Sequence, residues 1–106
     1  MGTFQYFTDT AGQFRFRLRA DNGEIILTSE AYTTKAAAQG GLASVRRHAP
    51  DDARYERKQS TAGWSFNLKA ANHLVIGTSE VYSSAQMRDA GIDSVKRNAP
   101  SATEQG

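Results

Sequence analysis

Phe14-Arg15-Phe16-Arg17-Leu18-Arg19-Ala20 alternates apolar and charged residues without a break, and a period of two marks a strand with one buried face. Phe4–Thr8 alternates more loosely and runs into Asp9-Thr10-Ala11-Gly12, residues that make it a strand entering a hairpin. After Ala20 comes Asp21-Asn22-Gly23-Glu24. Its Asn-Gly pair predicts a type I′ turn, because both central residues of that turn take positive φ. Glu24–Glu30 is then the returning strand. Past Tyr32 the period changes: Leu42, Val45 and Ala49 recur at helical spacing in an alanine-rich stretch closed by Pro50.

The pattern then repeats. Slid against itself by about fifty residues, the sequence aligns Phe14–Pro50 with Trp64–Pro100, which is the mark of a duplicated unit. Phe16, Leu18, Ala20, Asn22, Ile26, Thr28, Ser29, Glu30, Tyr32, Gly41, Ser44, Val45, Arg47, Ala49 and Pro50 all recur unchanged. Phe4 aligns with Tyr55 once an extra residue near Gln13 is placed in a loop. The second helix opens on Ser83-Ser84-Ala85-Gln86, a capping-box pattern with Ser83 as the cap. Asp51–Gln59 is too short for a tether and reads as strand. The prediction is one α+β domain over residues 1–106, with repeat one at 1–50 and repeat two at 51–106. Two tandem β-β-β-α(-β) units share one antiparallel sheet about a pseudo-two-fold axis, with both helices on one face.

Pairing around Asn22-Gly23 places Ala20 opposite Ile25, Leu18 opposite Leu27 and Phe16 opposite Ser29 on the helix side. On the outer side Arg19 faces Ile26, Arg17 faces Thr28 and Arg15 faces Glu30, with Phe7 alongside. Phe4, Tyr6, Phe14, Phe16, Leu18 and their second-copy counterparts are the candidate core. The outer face carries Ser65, Asn67, Lys69, Ile76, Thr78 and Glu80 in copy two.

Composition narrows the chemistry. Thirteen basic and eleven acidic residues leave a net charge of only +2, which permits nucleic-acid binding without predicting it. There is no cysteine and there are only two histidines, so disulfides, thiolate metal sites and cysteine nucleophiles are excluded, and no metal or other cofactor is expected. No apolar run reaches the roughly 18 residues of a membrane span, and no charged-then-apolar leader opens the chain, so the cytoplasm is the expected compartment.

The run Phe16-x-Leu-x-Ala-x-Asn-Gly…Ile-x-Thr-Ser-Glu-x-Tyr32…Gly41-Leu-x-Ser-Val45, present twice, resembles the YegP-like family of small bacterial proteins. The resemblance covers nearly the whole chain. It implies a three-strand–helix–strand unit, with two copies forming a common sheet and exchanging their last strands. It implies no activity. The sequence departs from the pattern at His73, where the turn glycine is replaced, and at Gly77, where a strand apolar residue is missing.

Two constellations are candidates for function. Glu30 and Glu80, within the repeated Ser-Glu-x-Tyr, read either as carboxylates of a binding or acid–base site or as ordinary residues of the strand-to-helix corner. If Arg15 pairs with Glu30 while Glu80 faces Ser65, Glu80 is the freer carboxylate. Arg15, Arg17 and Arg19 with Phe7 make a basic face containing a ring, as in proteins that pair phosphates and stack bases. Solvated arginine stems covering apolar surface give the same pattern. The leading expectation is a non-catalytic binding or scaffold module, not an enzyme, using Phe7, Arg15, Arg17, Arg19, Thr28, Glu30, Thr78 and Glu80. Its partner is a protein or small molecule, not a membrane, and the chain is a monomer. The alternative is a weak, salt-sensitive nucleic-acid binder through the arginine stripe, and the third reading is an enzyme centred on Glu80.

Overall fold

The alternating segments pair as their turns require. In the computed structural model, which describes residues 2–105, β1 (Thr3–Thr8), β2 (Phe14–Arg19) and β3 (Ile25–Ser29) form an antiparallel meander followed by α1 (Lys35–His48). The second copy supplies β4 (Tyr55–Ser60), β5 (Gly63–Lys69), β6 (Val75–Thr78), α2 (Ala85–Asn98) and a short last strand, β7 (Thr103–Gln105). Residues 1 and 106, the outer limits of the two predicted repeats, lie outside the described residues. All seven strands belong to one sheet, ordered β4-β5-β6-β3-β2-β1-β7. β3 and β6 meet antiparallel with Thr28 opposite Thr78. These are equivalent positions of the two copies, so the pseudo-two-fold axis passes between them.

The antiparallel sheet has one exception. β7 adds to β1 in parallel, Thr3 opposite Thr103 and Gln5 opposite Gln105, so the last strand of copy two completes copy one. The reciprocal strand is not separate. After α1, the Asp51 side chain accepts a hydrogen bond from the Ala53 N–H and caps a single 3-10 turn, Asp52–Arg54, that leads directly into β4. Of the strand expected at Asp51–Gln59, only Tyr55–Gln59 lies in a strand.

The β2–β3 turn differs from the type I′ expectation. The Gly23 N–H donates to the Ala20 carbonyl and the Ala20 N–H to the Glu24 carbonyl, both at 2.9 Å. Positive φ occurs at Gly23 (84°) and, in copy two, at His73 (69°), and not at either Asn. This is a type I turn closed by one left-handed residue and a bulge. The register consequently shifts between Leu18 and Arg19: Leu18 stays opposite Leu27, but Arg19 faces Ile25. Ile26, expected on the outer face, is instead in the core at 5% exposure, and Ile76 follows it at 7%. The bulged residue has changed sides.

One apolar cluster joins both copies. Phe4, Phe16, Leu18, Phe66 and Leu68 from the sheet meet Leu42 and Val45 of α1 and Ile92 and Val95 of α2, all nearly inaccessible. Phe4–Leu18 and Tyr55–Leu68 pair in the expected register. At the axis, a side chain on residue 77 would fall 2.7 Å from Leu27 Cδ2. Gly77 thus leaves room for one leucine to fill a space that two could not share.

Thr34 caps α1 by accepting from the Ala37 N–H, and Ser84 caps α2 by accepting from the Met87 N–H, each at 3.1 Å. The second cap is one residue later than Ser83, because Tyr82 is still bonded to Trp64 in both directions and the chain leaves the sheet only after it. Arg46 donates to the Ala99 carbonyl at 3.1 Å and pairs with Glu104 at 3.3 Å, tying α1 to the end of copy two. Among the described residues no helix is long and apolar enough to cross a membrane.

Candidate functional site

With both helices packed on one side, the opposite face of the sheet is left uncovered, and the strand registers read out its rows. One row crosses the whole sheet as Glu56, Asn67, Thr78, Thr28, Arg17, Gln5 and Gln105. On either side of Arg17, Arg15 lies opposite Phe7 and Arg19 opposite Thr3. Phe7, Arg15, Arg17, Arg19, Thr28 and Thr78 therefore share one surface.

The three arginines are held in place by neutral acceptors. Arg15 donates through Nε and Nη2 to the Ser29 carbonyl at 3.1 and 2.7 Å. Gln5 Oε1 accepts from Arg17 Nε at 2.9 Å and from Arg19 Nε at 3.4 Å, while Arg19 Nη1 donates to the Gly23 carbonyl at 2.8 Å. The Arg17 guanidinium also sits 4.6 Å from the centre of the Phe7 ring. Phe7 is thus already in a cation–π contact within the protein, where a bare ring was expected.

Among the described residues no carboxylate neutralises this stripe. Among the described residues the ion pairs engage Arg46, Arg54, Arg57, Lys69, Arg88 and Lys96, and none engages Arg15, Arg17 or Arg19. The expected Arg15–Glu30 contact does not form: β3 ends at Ser29, so Glu30 lies beyond the ladder and Arg15 turns to the Ser29 carbonyl. In copy two the corresponding surface is compensated. Glu56 accepts from Asn67 at 3.1 Å and pairs with Lys69 at 3.3 Å, and these two contacts, Asn67 first, hold its carboxyl below the usual range.

Glu30 and Glu80 are both exposed, and neither enters an ion pair among the described residues, so the expected difference between them is absent. With Thr28 opposite Thr78 on antiparallel strands, they leave the sheet at opposite ends. Four residues of strand separate them, about 13 Å, so they cannot form a shared two-carboxylate site.

The rest of the Ser-Glu-x-Tyr repeat is accounted for by the corner it builds. Ser29 Oγ accepts from the Phe16 N–H at 2.9 Å and donates to the Glu30 carbonyl at 2.7 Å; Ser79 does the same with Phe66 and Glu80. Tyr32 exchanges two backbone hydrogen bonds with Phe14, as Tyr82 does with Trp64. Their rings lie against Gly41 and Gly91 of the helices, where a Cβ would collide with them.

His48 bridges the copies, its Nδ1 2.9 Å from the Ser44 carbonyl and its Nε2 accepting from the Ala71 N–H at 3.3 Å. Among the described residues no group of three or more His, Cys, Asp or Glu side chains is placed to hold a metal. Two clefts, of about 440 and 240 Å³, lie between the β2–β3 hairpin and α2, away from the arginine stripe. Gln5 is the one stripe residue that sequence reasoning missed. Its place opposite Arg17 follows from the register, but a neutral amide between cations gave no reason to look there.

Comparison with known proteins places this geometry in a family. The family described as "Domain of unknown function (DUF1508)" matches residues 9–56 and again residues 60–104, one match per copy, and the chain belongs to it. A UPF0339 protein encoded in the ptx operon 5′ region of Stutzerimonas stutzeri is 57% identical over 61 residues, 58% of this chain and 55% of that one. UPF0339 protein YegP of Escherichia coli K12 is 52% identical over 62 residues, 58% and 56% of the two chains. The chain thus aligns with little more than half the length of these curated relatives. The solution structure of the E. coli protein yegP, itself described as of unknown function, superposes with a TM-score of 0.92 at 51% identity, covering 98% of this chain and 90% of the other. That of a UPF0339 protein from Shewanella oneidensis gives 0.91 at 46% identity, covering 98% and 89%.

Proposed function

We propose that this chain is a non-catalytic binding module that presents the helix-free face of its sheet to an anionic partner in the cytoplasm. The observation that carries the reading is the set of three arginines on β2, positioned by carbonyl and amide oxygens and, among the described residues, paired with no carboxylate. Holding cations by neutral acceptors fixes their direction and keeps their charge available. Gln5 is central to this, since one amide oxygen orients two guanidinium groups.

The reading is favoured over an enzyme because Glu30 and Glu80 stand far apart and exposed, and the serine hydroxyls beside them are engaged in closing the corners. It takes the chain as a monomer. β4 presents Glu56, Arg57 and Lys58 along the open edge of the sheet, and charges of this kind discourage edge-to-edge pairing.

Amide shift mapping with poly-glutamate and with a single-stranded oligonucleotide, at low and at moderate salt, tests it. Perturbations are expected on β1, β2 and β3 around Gln5, Phe7 and Arg15–Arg19, and are expected to vanish in Arg17→Glu/Arg19→Glu. Perturbations confined to the exposed helix cations Arg47 and Arg97, or none with either probe, would sink the proposal.

A further inference from the structure

We infer that the anionic partner is single-stranded nucleic acid, laid along β2 with phosphates at Arg15, Arg17 and Arg19 and a base stacked at the Phe7–Arg17 pair. The inference rests on the reading just given and adds to it the chemistry of the partner.

Three features favour a nucleic acid over an acidic peptide. The first is spacing. Alternate residues of a strand lie about 7 Å apart, comparable to the separation of successive phosphates in an extended single strand, so three guanidinium groups can follow one backbone without bending it. The second is the ring beside the charge. The Arg17 guanidinium lies over the Phe7 ring at 4.6 Å, and its Nε is turned to Gln5. A base adds its own π-face to such a cation–aromatic contact, whereas a carboxylate pairs with the charge and gains nothing from the ring. The third is the neutral centre of the face. Beyond the stripe the same row continues into Thr28, Thr78 and Asn67, short donors and acceptors suited to base edges and sugar hydroxyls. They offer no charge to a second phosphate chain, so a duplex has no place for its other strand.

The experiment is fluorescence anisotropy of the full chain with an oligouridylate of about ten nucleotides, the size of an ordinary single-strand site, in parallel with labelled poly-glutamate. Each neutralised phosphate contributes about 0.7 to the log–log salt slope on a single strand. The triple change Arg15→Gln/Arg17→Gln/Arg19→Gln should therefore flatten the slope by about 2. Arg17→Lys keeps the charge and loses the plane: affinity should fall roughly tenfold, the scale of one stacked base, with the slope unchanged. Arg47→Gln, on the helix side, should change neither quantity, and amide dispersion of each variant checks that it is folded.

The inference is overturned if poly-glutamate binds at least as tightly as the oligonucleotide, which leaves the binding face standing with an acidic peptide as its partner. It is equally overturned if the oligonucleotide binds but the triple variant retains its slope. No binding of either probe at low salt removes the inference and the parent reading together.

Discussion

Gly40 and Gly41 are neighbours in α1, and replacing each by alanine separates two effects. Helix propensity favours both changes, by about 0.5–1 kcal/mol. Packing treats them differently. A Cβ on Gly40 meets nothing within 4 Å, and its counterpart in copy two is already Ala90. A Cβ on Gly41 collides with Tyr32 Oη and lies 2.6 Å from Cζ. Tyr32 has little freedom to withdraw, since two backbone hydrogen bonds of 2.7 and 2.8 Å fix it to Phe14 and its ring packs on the core. Overpacking of this kind costs about 1–3 kcal/mol. Gly40→Ala should thus stabilise by about 0.5–1 kcal/mol, and Gly41→Ala should destabilise by about 0.5–2 kcal/mol once propensity is subtracted. Gly91→Ala, where the nearest atom is Tyr82 Oη at 2.6 Å, should fall between them. Urea denaturation followed by circular dichroism measures all three as shifts in midpoint at constant slope. In a Tyr32→Ala background the sign of Gly41→Ala should reverse. If Gly41→Ala proved as stable as Gly40→Ala in the intact chain, the tyrosine–glycine contact would not hold the helix to the corner, and the reasoning would fail.

Phe16→Ala and Phe66→Ala should each cost about 3–5 kcal/mol, while Arg17→Ala on the outer face should cost less than about 1 kcal/mol; denaturant midpoints ranking Arg17→Ala worst would reverse the faces. His73→Gly should stabilise by about 0.5 kcal/mol, because residue 73 sits at φ 69° where glycine carries no steric penalty; a loss in midpoint would refute it. Burial, then Glu104, pushes the Tyr6 hydroxyl up to about 12, and burial above all raises Tyr55 as well. An unfolded tyrosine ionises near 10, so the unfolded state releases these protons first. The stability they give is complete below about pH 10 and is lost as pH rises towards about 12. Phenolate absorbance should therefore rise together with loss of the circular dichroism signal, and normal titration of every tyrosine in a native protein would contradict this.

The strands, the helices, the shared sheet and the Phe4–Leu18 and Tyr55–Leu68 registers were legible because strict alternation and a repeated period leave few alternatives. The faces of Ile25 and Ile26 were not. They depend on one bulge, and Asn-Gly serves both the two-residue turn and the type I turn that ends in a left-handed glycine. The sequence pairs Arg15 with Glu30 by counting along ideal strands, but Ser29 closes β3 with its own hydroxyl and so removes Glu30 from the ladder. Gln5 and the parallel direction of β7 were hidden for a related reason. A short polar segment carries no periodicity, and its place is decided by what the rest of the sheet leaves unpaired.

The duplication itself says where to look for function. Within one chain, residues kept in both copies answer to a need that both halves share, and every half needs its corners closed and its helix docked. Ser29 and Ser79, Tyr32 and Tyr82, Gly41 and Gly91 all meet that need, so the motif that stood out most in the sequence belongs to the scaffold. A partner bound once needs its contacts only once. Among the positions where the copies part are Arg15 against Ser65, Arg17 against Asn67 and Arg19 against Lys69, with Lys69 tied to Glu56. They sit on the one face that no helix covers. A scaffold role for the stripe predicts that copy two suffers from lacking it, yet β5 holds the same register against β4 without the arginines. What the arginines add is therefore charge at a surface, fixed in direction, on one half of a protein whose two halves fold alike.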